Sequence, residues 1–447
     1  MHRLSPSGSS EPTDFSEVDG LPLLGSILPL GRNALEFFSR LLRERGDRIK
    51  LRVLGRSVLL LCHPEDIEQV LVRDRDSFGR SAEMRKLRPI FGRGLLASEG
   101  ELWSRQRTLI QPNFQPGSLA RYASTMLTVV RGLTLEWRAG DTVDIHAEMM
   151  KYTRDTICRV LFGDDFATTQ PGIADAVSIV FGDLRSEILY LPLWRRLPLA
   201  RARRWNRAVG LLERTLRGAI AARHASAAQH DDLLAALLEA RDPHGEAMSD
   251  RQIRDEILTL FLAGHETTAL SLTWAADLLA RHPDVQELAR EEVHSIAQGR
   301  ELSPEDYPKL RWTAAIIKEA TRLYPPVWSL GREAIAATVL GGHPIAKGTD
   351  VWICLHRLHR DARWFPEPDR FMPQRWLQGH APRPFTYLPF GVGARVCIGQ
   401  RFAMLETVLG LASVLSRFQL TATRDAPAEP CAWITLRPKH PIRLRLA

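Results

Sequence analysis

From Ile257 to Ala280 the chain runs apolar for long enough either to cross a bilayer or to thread the middle of a large core. Three ionisable residues, His265, Glu266 and Asp277, interrupt the run. Such groups are costly at mid-membrane, whereas a helix through a protein core can aim them at partners or at a cavity. The run therefore reads as a buried helix of a soluble protein. Its flanks set its bounds: Ser249 followed three residues later by Gln252 forms a capping box, and His282-Pro283 ends the helix. At ~1.5 Å per residue it would span roughly 50 Å. A chain of 447 residues, 45% hydrophobic and 25% charged, has enough apolar mass to bury it. That composition excludes disordered, collagen-like and coiled-coil classes.

The rest of the chain is organised around this helix. Ile49, Leu51 and Val53 alternate with Lys50 and Arg52, and after Gly55-Arg56 comes Val58-Leu59-Leu60-Leu61, which predicts a β-hairpin. From Pro64 to about Tyr324 the periodicity is helical, with room for at least nine helices. Short strands such as Asp350 to Cys354 follow, then a Pro/Arg/Trp-rich stretch from Arg357 to Pro389. A last helix follows Cys397, and the alternation of Ile442, Leu444 and Leu446 predicts a final strand. The fold class expected is mainly α with a small β-sheet region, in one large domain over 21–447 behind a flexible segment 1–20.

The formal charge is +8, from 60 basic against 52 acidic residues, but only 7 of the basic residues are lysine and the arginines are scattered. A scattered excess does not make a nucleic-acid surface. The five cysteines, at 62, 158, 354, 397 and 431, show no CxxC spacing and no disulfide framework. No secretory signal pattern opens the chain, so a cytoplasmic protein without a membrane anchor is expected.

Chemistry concentrates in Phe390-Gly391-Val392-Gly393-Ala394-Arg395-Val396-Cys397-Ile398-Gly399. Taken bare, a lone cysteine is usually a small buried hydrophobe. Here glycines flank it where a loop turns into a helix. Gly393 and Gly399 suit close passage of backbone to a flat ligand, and the amides at a helix start favour a thiolate able to ligate a metal. The stretch resembles the haem-binding loop of the cytochrome P-450 superfamily, Phe-x-x-Gly-x-Arg-x-Cys-x-Gly. The resemblance implies that Cys397 is the axial ligand of the iron of haem b, with Arg395 near a propionate, Phe390 packed beside the sulfur and Gly391 among the cofactor-binding residues. It extends in motif order over nearly the whole chain, from Leu21-Pro22-Leu23-Leu24-Gly25 to the last strand.

Other motifs gain meaning from that resemblance. Ala263-Gly264-His265-Glu266-Thr267-Thr268 sets an acid beside a hydroxyl, where Gly and Thr permit a local opening of the helix ladder. By itself this is an ordinary surface acid beside helix-tolerated threonines. The resemblance makes Glu266 and Thr267 the proton-delivery pair, with Gly264 over the haem. Glu319 and Arg322, three apart on a helix, read alone as a solvated ion pair. With Arg370, they match the family's Glu-Arg-Arg structural triad. Trp103 and Arg107 share a helical face, and with Arg332 they are expected at the propionates, which a planar guanidinium suits.

The activity implied is monooxygenation of a hydrophobic lipid, terpenoid or polyketide-like molecule by O2. Electrons would come from a separate ferredoxin and ferredoxin reductase, which would dock near Arg105, Arg395 and Arg401 of a monomeric enzyme. By family position the substrate walls are Leu87, Leu95, Phe181, Phe261, Ala263, Val327, Trp328 and Ile434. One of Arg85, Lys86 and Arg88 would anchor a substrate carboxylate, and Tyr190 to Pro198 would form a lid. A peroxygenase, a haem-thiolate isomerase and a haem-based sensor are the rivals. The retained Glu266-Thr267 pair argues against them.

Overall fold

The hairpin turns where expected. Leu54 and Gly55 both take positive φ (48° and 77°), the geometry a two-residue turn requires, and strand Arg48–Val53 pairs antiparallel with Arg56–Leu61. In the computed structural model, which describes residues 14–21, 24–164, 176, 179–180, 199–226, 230–377, 379 and 381–447, this hairpin is the middle of a six-stranded sheet. Its order is Ser16–Glu17, Arg48–Val53, Arg56–Leu61, Asp350–Ile353, Leu330–Ala334 and Phe78–Arg80. The sheet therefore begins at Ser16, where Ser16 pairs with Ile49, rather than after a free segment ending at 20. Leu60 and Trp352, paired across the sheet, share the face on which Phe38 packs, and Leu59, Leu61, Val351 and Ile353 are buried on the other face.

The long helix is Asp250–Arg281. Ser249 Oγ accepts from the Gln252 amide at 3.3 Å. The capping box is only half formed, because the Gln252 side chain accepts from Arg105 instead. Pro283 ends this helix and is the first residue of the next, Pro283–Ala297; its fixed φ and missing N–H suit a helix start. Helices Ile145–Phe162, Arg311–Leu323 and Gln400–Leu415 pack around the central one. Trp274, fully buried, stacks on Tyr324 with ring centroids 4.2 Å apart and donates to the Leu436 carbonyl at 3.0 Å. The ionisable groups of the apolar run all have partners: His265 on the Met150 carbonyl, Glu266 on Arg437, and Asp277 on Arg281. Among the described residues no helix is long and apolar enough to cross a membrane.

Between Pro64 and Tyr324 eleven α-helical segments are described, three of them only four or five residues long. The Pro/Arg/Trp-rich stretch carries little regular structure beyond Leu355–Leu358 and the 3-10 turn Pro373–Trp376. The last strand, Arg443–Leu446, pairs with Leu420–Ala422 and Thr142–Asp144.

Candidate active site

Of the five thiols, Cys397 alone is exposed. Cys62, Cys158 and Cys354 are buried, and burial pushes Cys158 up to about 12 and Cys354 up to about 11, so they behave as small apolar side chains. Cys397 follows a loop that closes on itself: its amide donates to the Phe390 carbonyl at 2.9 Å, and Val396 donates to Gly393 at 3.1 Å. Gly391 and Gly393 both have positive φ. A Cβ on Gly393 would lie 2.5 Å from the Leu71 carbonyl oxygen, so this glycine serves close packing onto Leu71. Helix Gln400–Leu415 starts three residues after the sulfur. Although its side chain is accessible, Cys397 sits deep among protein atoms, and that desolvation leaves the thiol above its ordinary value even though the Gly399 amide and Arg107 draw it down. Arg107 is held there by its bond to the Val396 carbonyl at 2.7 Å.

Beside this loop three guanidinium groups converge. Arg332 is pushed down to about 10 by burial and then by Arg395, and Arg395 is lowered by its own burial. Arg395 lies 4.5 Å over the Trp103 ring and donates to the Ser98 carbonyl at 3.1 Å. The third is Arg80, on strand Phe78–Arg80. It sits directly opposite Arg332 in the antiparallel ladder, where like charges repel. Burial, Arg395 and Arg332 hold it well below its ordinary value, against a smaller opposing pull from Glu99. Arg80 Nε is buried with no partner. A stranded guanidinium nitrogen in a patch of mutually repelling cations is a site built for anions, and two carboxylates of a flat cofactor fit it. Sequence gave no signal for Arg80, because its meaning comes from which strand it faces.

On the central helix, Ala263 is exposed and Gly264 and Thr267 are half-buried, within a span whose other members are buried. The helix stays regular through this turn, so the expected opening of its ladder is absent. Thr267 Oγ1 donates to the Ala263 carbonyl at 2.7 Å. Glu266 points elsewhere: buried, its Oε1 accepts from Thr435 Oγ1 at 2.9 Å and from Arg437 Nε. Adjacent helical positions diverge by about 100°, which puts Glu266 on the C-terminal hairpin while Thr267 shares the side of Ala263.

The structure corrects the expected triad. Glu319 and Arg322 are fully buried and doubly bonded, at 2.8 and 2.9 Å. The third member is Arg375, whose Nε donates to Glu319 Oε1 at 3.0 Å. Arg370 is exposed and pairs with Glu367, and only its carbonyl meets Arg322. Pro373 starts the 3-10 turn that aims both Arg375 and Trp376 at Glu319, whereas Arg370 precedes that turn.

Several expected pocket walls also move. Phe261 turns away from Ala263 into a gap of about 20 Å³ shared with Phe162, Leu212 and Leu216. Trp328 packs on the sheet core and donates to the Trp433 carbonyl at 2.7 Å. Leu87 and Leu95 are buried in the helical core, while Val327 and Ile434 are half-buried. Phe181 and the Tyr190 to Pro198 segment lie outside the described residues. Of the expected carboxylate anchors, Arg85 is committed to Glu333 and the Arg80 carbonyl, and Arg88, about half exposed, donates to Glu99 at 3.3 Å. Arg105 is held by Asp242 at 2.6 Å and Arg395 by Trp103, which leaves Arg401 as the exposed member of the expected docking face.

A mainly helical chain with one accessible cysteine ahead of a helix and an anion-seeking arginine cluster beside it defines a haem-thiolate class of protein. The family model described as Cytochrome P450 matches residues 16–446. The chain is 39% identical to cyclooctatin synthase of Streptomyces melanosporofaciens over 90% of this chain and 88% of that one. It is 34% identical to cyclooctat-9-en-7-ol 5-monooxygenase of the same organism, over 93% of each chain. Its identity to pentalenene oxygenase of Streptomyces avermitilis is 33%, over 95% of each chain. The chain belongs to the cytochrome P450 family. It is a haem b monooxygenase that acts on a hydrophobic substrate with O2 and reducing equivalents.

Proposed function

We propose that this enzyme oxygenates a cyclic terpenoid hydrocarbon or alcohol, with Cys397 as the thiolate ligand of its haem. The observation that carries the ligand assignment is the exposure of Cys397 among otherwise buried or half-buried thiols, with Gly399 and Arg107 partly offsetting the desolvation that raises its thiol. The substrate class is supported by the similar Streptomyces proteins, one named for its action on cyclooctat-9-en-7-ol and one as an oxygenase of pentalenene.

In this reading Arg80, Arg332 and Arg395 receive the haem carboxylates, with Arg107 and Trp103 flanking them. When bound, haem supplies oxygen activation, tuned by electron donation from the thiolate. The chain's own contribution is orientation and proton control. Thr267 keeps its hydroxyl hydrogen on Ala263, so its lone pairs are turned outward to hold a water. Glu266 delivers a proton to that face only after its carboxylate leaves Arg437 and Thr435, so Arg437 acts as a positioning residue. Electrons arrive from a separate ferredoxin and its reductase in the cytoplasm, at a face including Arg401, and the enzyme works as a monomer.

The direct test is to supply the haem-loaded enzyme with a surrogate ferredoxin, its reductase, NADPH and a panel of cyclic terpene olefins and alcohols. Oxygen-dependent products from these, and none from fatty acids of equal size, are the expected result. The reverse preference would overturn the substrate class. Thr267→Ala is expected to keep haem content and substrate-induced spectral shift while diverting most reductant to hydrogen peroxide. An unchanged ratio of product formed to NADPH consumed would remove Thr267 from its assigned role.

A further inference from the structure

The loop of residues 92–98 crosses the N-terminal part of the central helix, where two consecutive carboxylates meet it. Asp255 accepts from the Arg93 amide at 2.7 Å and is paired with Arg254. Glu256 Oε2 accepts from the Leu95 amide at 2.8 Å. The approach leaves no room for a side chain at either glycine of the loop: a Cβ on Gly92 would fall 2.1 Å from Asp255 Oδ2, and one on Gly94 2.2 Å from Thr259 Oγ1. The same loop reaches the arginine cluster, since Arg80 donates to the Leu95 carbonyl at 3.4 Å and Arg395 to the Ser98 carbonyl at 3.1 Å. Leu95 is thus tied to the central helix through its amide and to the cofactor side through its carbonyl.

The two carboxylates are not equivalent. Asp255 has a guanidinium beside it. Glu256 is 0% exposed, and its Oε1 has no partner. Facing it is the side chain of Gln106, also 0% exposed, from helix Gly100–Ile110. Gln106 donates its amide hydrogen to the Arg93 carbonyl at 2.6 Å, which fixes its orientation and leaves its Oε1 unpartnered too. Two acceptor oxygens without a donor are costly in a dry core, and one proton on Glu256 satisfies both.

We propose that Glu256 is a neutral carboxylic acid that accepts from Leu95 and donates to Gln106, latching the 92–98 loop beside the ligand side of the central helix, and that its ionisation, by leaving a charge in a dry core, draws water beneath the loop and loosens the latch. Burial pushes the Glu256 carboxyl up to about 8; the charge of Asp255 on its own helix raises it further, while the Leu95 amide and Gln106 act against the rise. The sign follows from linkage. Between the ordinary carboxylate range and about pH 8 the folded chain holds a proton that the unfolded chain has lost. Stability from this group is therefore full in acid, falls as pH rises, and is gone above about pH 8. Glu256 and Thr267 share one side of the central helix, eleven residues or about three turns apart. The latch rests on the contacts above, whereas its effect on ligands rests on the reading of the Ala263 side as the oxygen-binding side.

Infrared difference spectroscopy of the parent against Glu256→Gln at pH 7 is expected to show a protonated-carboxyl stretch present only in the parent and lost as pH passes about 8. A spectrum without that band overturns the proposal. Gln106→Leu provides an arm that does not depend on the folding of the first variant: the same band is expected to move to higher frequency as its hydrogen bond is lost, and an unmoved band overturns the pairing. Neither arm needs haem, so both stand apart from the reading of function. In the reduced haem-loaded enzyme, carbon monoxide binding after flash photolysis is expected to quicken about threefold between pH 7 and 9 in the parent and to stay flat in Glu256→Gln. Identical profiles in the two proteins overturn the coupling to ligand access.

Discussion

Arg375→Ala should accumulate as unstable protein lacking haem, while Arg370→Ala should be indistinguishable from the parent in haem content and thermal midpoint. Glu319 is fully buried and accepts five bonds: two from Arg322, one each from Arg375 and Trp376, and one from the Met372 amide. Removing one partner of a buried charge pair costs about 3–5 kcal/mol, because the remaining charge cannot reach water. That is a large fraction of the 5–15 kcal/mol that typically holds a domain folded. Arg375 also donates to the Pro366 carbonyl, so its loss frees the segment leading toward the cysteine loop. Arg370 and Glu367 are both more than half exposed, and such a pair contributes roughly 0–1 kcal/mol. Arg375→Lys should fall between the two, since an ammonium cannot reproduce the fork that spans Glu319 and Pro366. The ratio of haem absorbance to protein absorbance, read beside a thermal melt, checks all three. Equal behaviour of Arg375→Ala and Arg370→Ala would refute the assignment.

The second large effect belongs to Cys397. Cys397→Ser should preserve the loop, because the bond from its amide to the Phe390 carbonyl uses only backbone. Its reduced, carbon monoxide-treated form should lack the red-shifted absorbance that marks sulfur ligation. Monooxygenation should fall by at least about 100-fold, equivalent to about 2.7 kcal/mol in the barrier. The other thiols offer no replacement: three are buried and raised, and Cys431 sits in a strand of the C-terminal hairpin. Retention of the red-shifted band in the serine variant would show that another group ligates the iron.

The contrast between Arg370 and Arg375 shows how far local sequence reaches. Both lie in the same proline-rich stretch, and both are arginines within reach of Glu319 along the chain. What separates them is the turn started by Pro373, which aims two neighbouring side chains at one carboxylate. The Pro373-Gln374-Arg375-Trp376 run was visible in the sequence, but its direction was not. Phe261 teaches the same lesson on a helix: it lies two residues from Ala263, yet roughly 200° around the axis, and so faces a different neighbour.

What the sequence determined by itself is whatever a few consecutive residues can encode. The Leu54-Gly55 turn, the span of the central helix between Ser249 and Pro283, and the ten-residue loop that presents Cys397 all depend on local backbone preferences, and all stand where expected. Only the tertiary structure decided that Arg80 opposes Arg332 across a ladder, that Glu266 is held by Arg437, and that Glu256 meets Leu95 and Gln106. Those pairings join residues as many as 252 positions apart, as with Arg80 and Arg332. No local preference specifies such a meeting; strand register, helix rotation and the exclusion of water from the core bring the charges together and set what each one does.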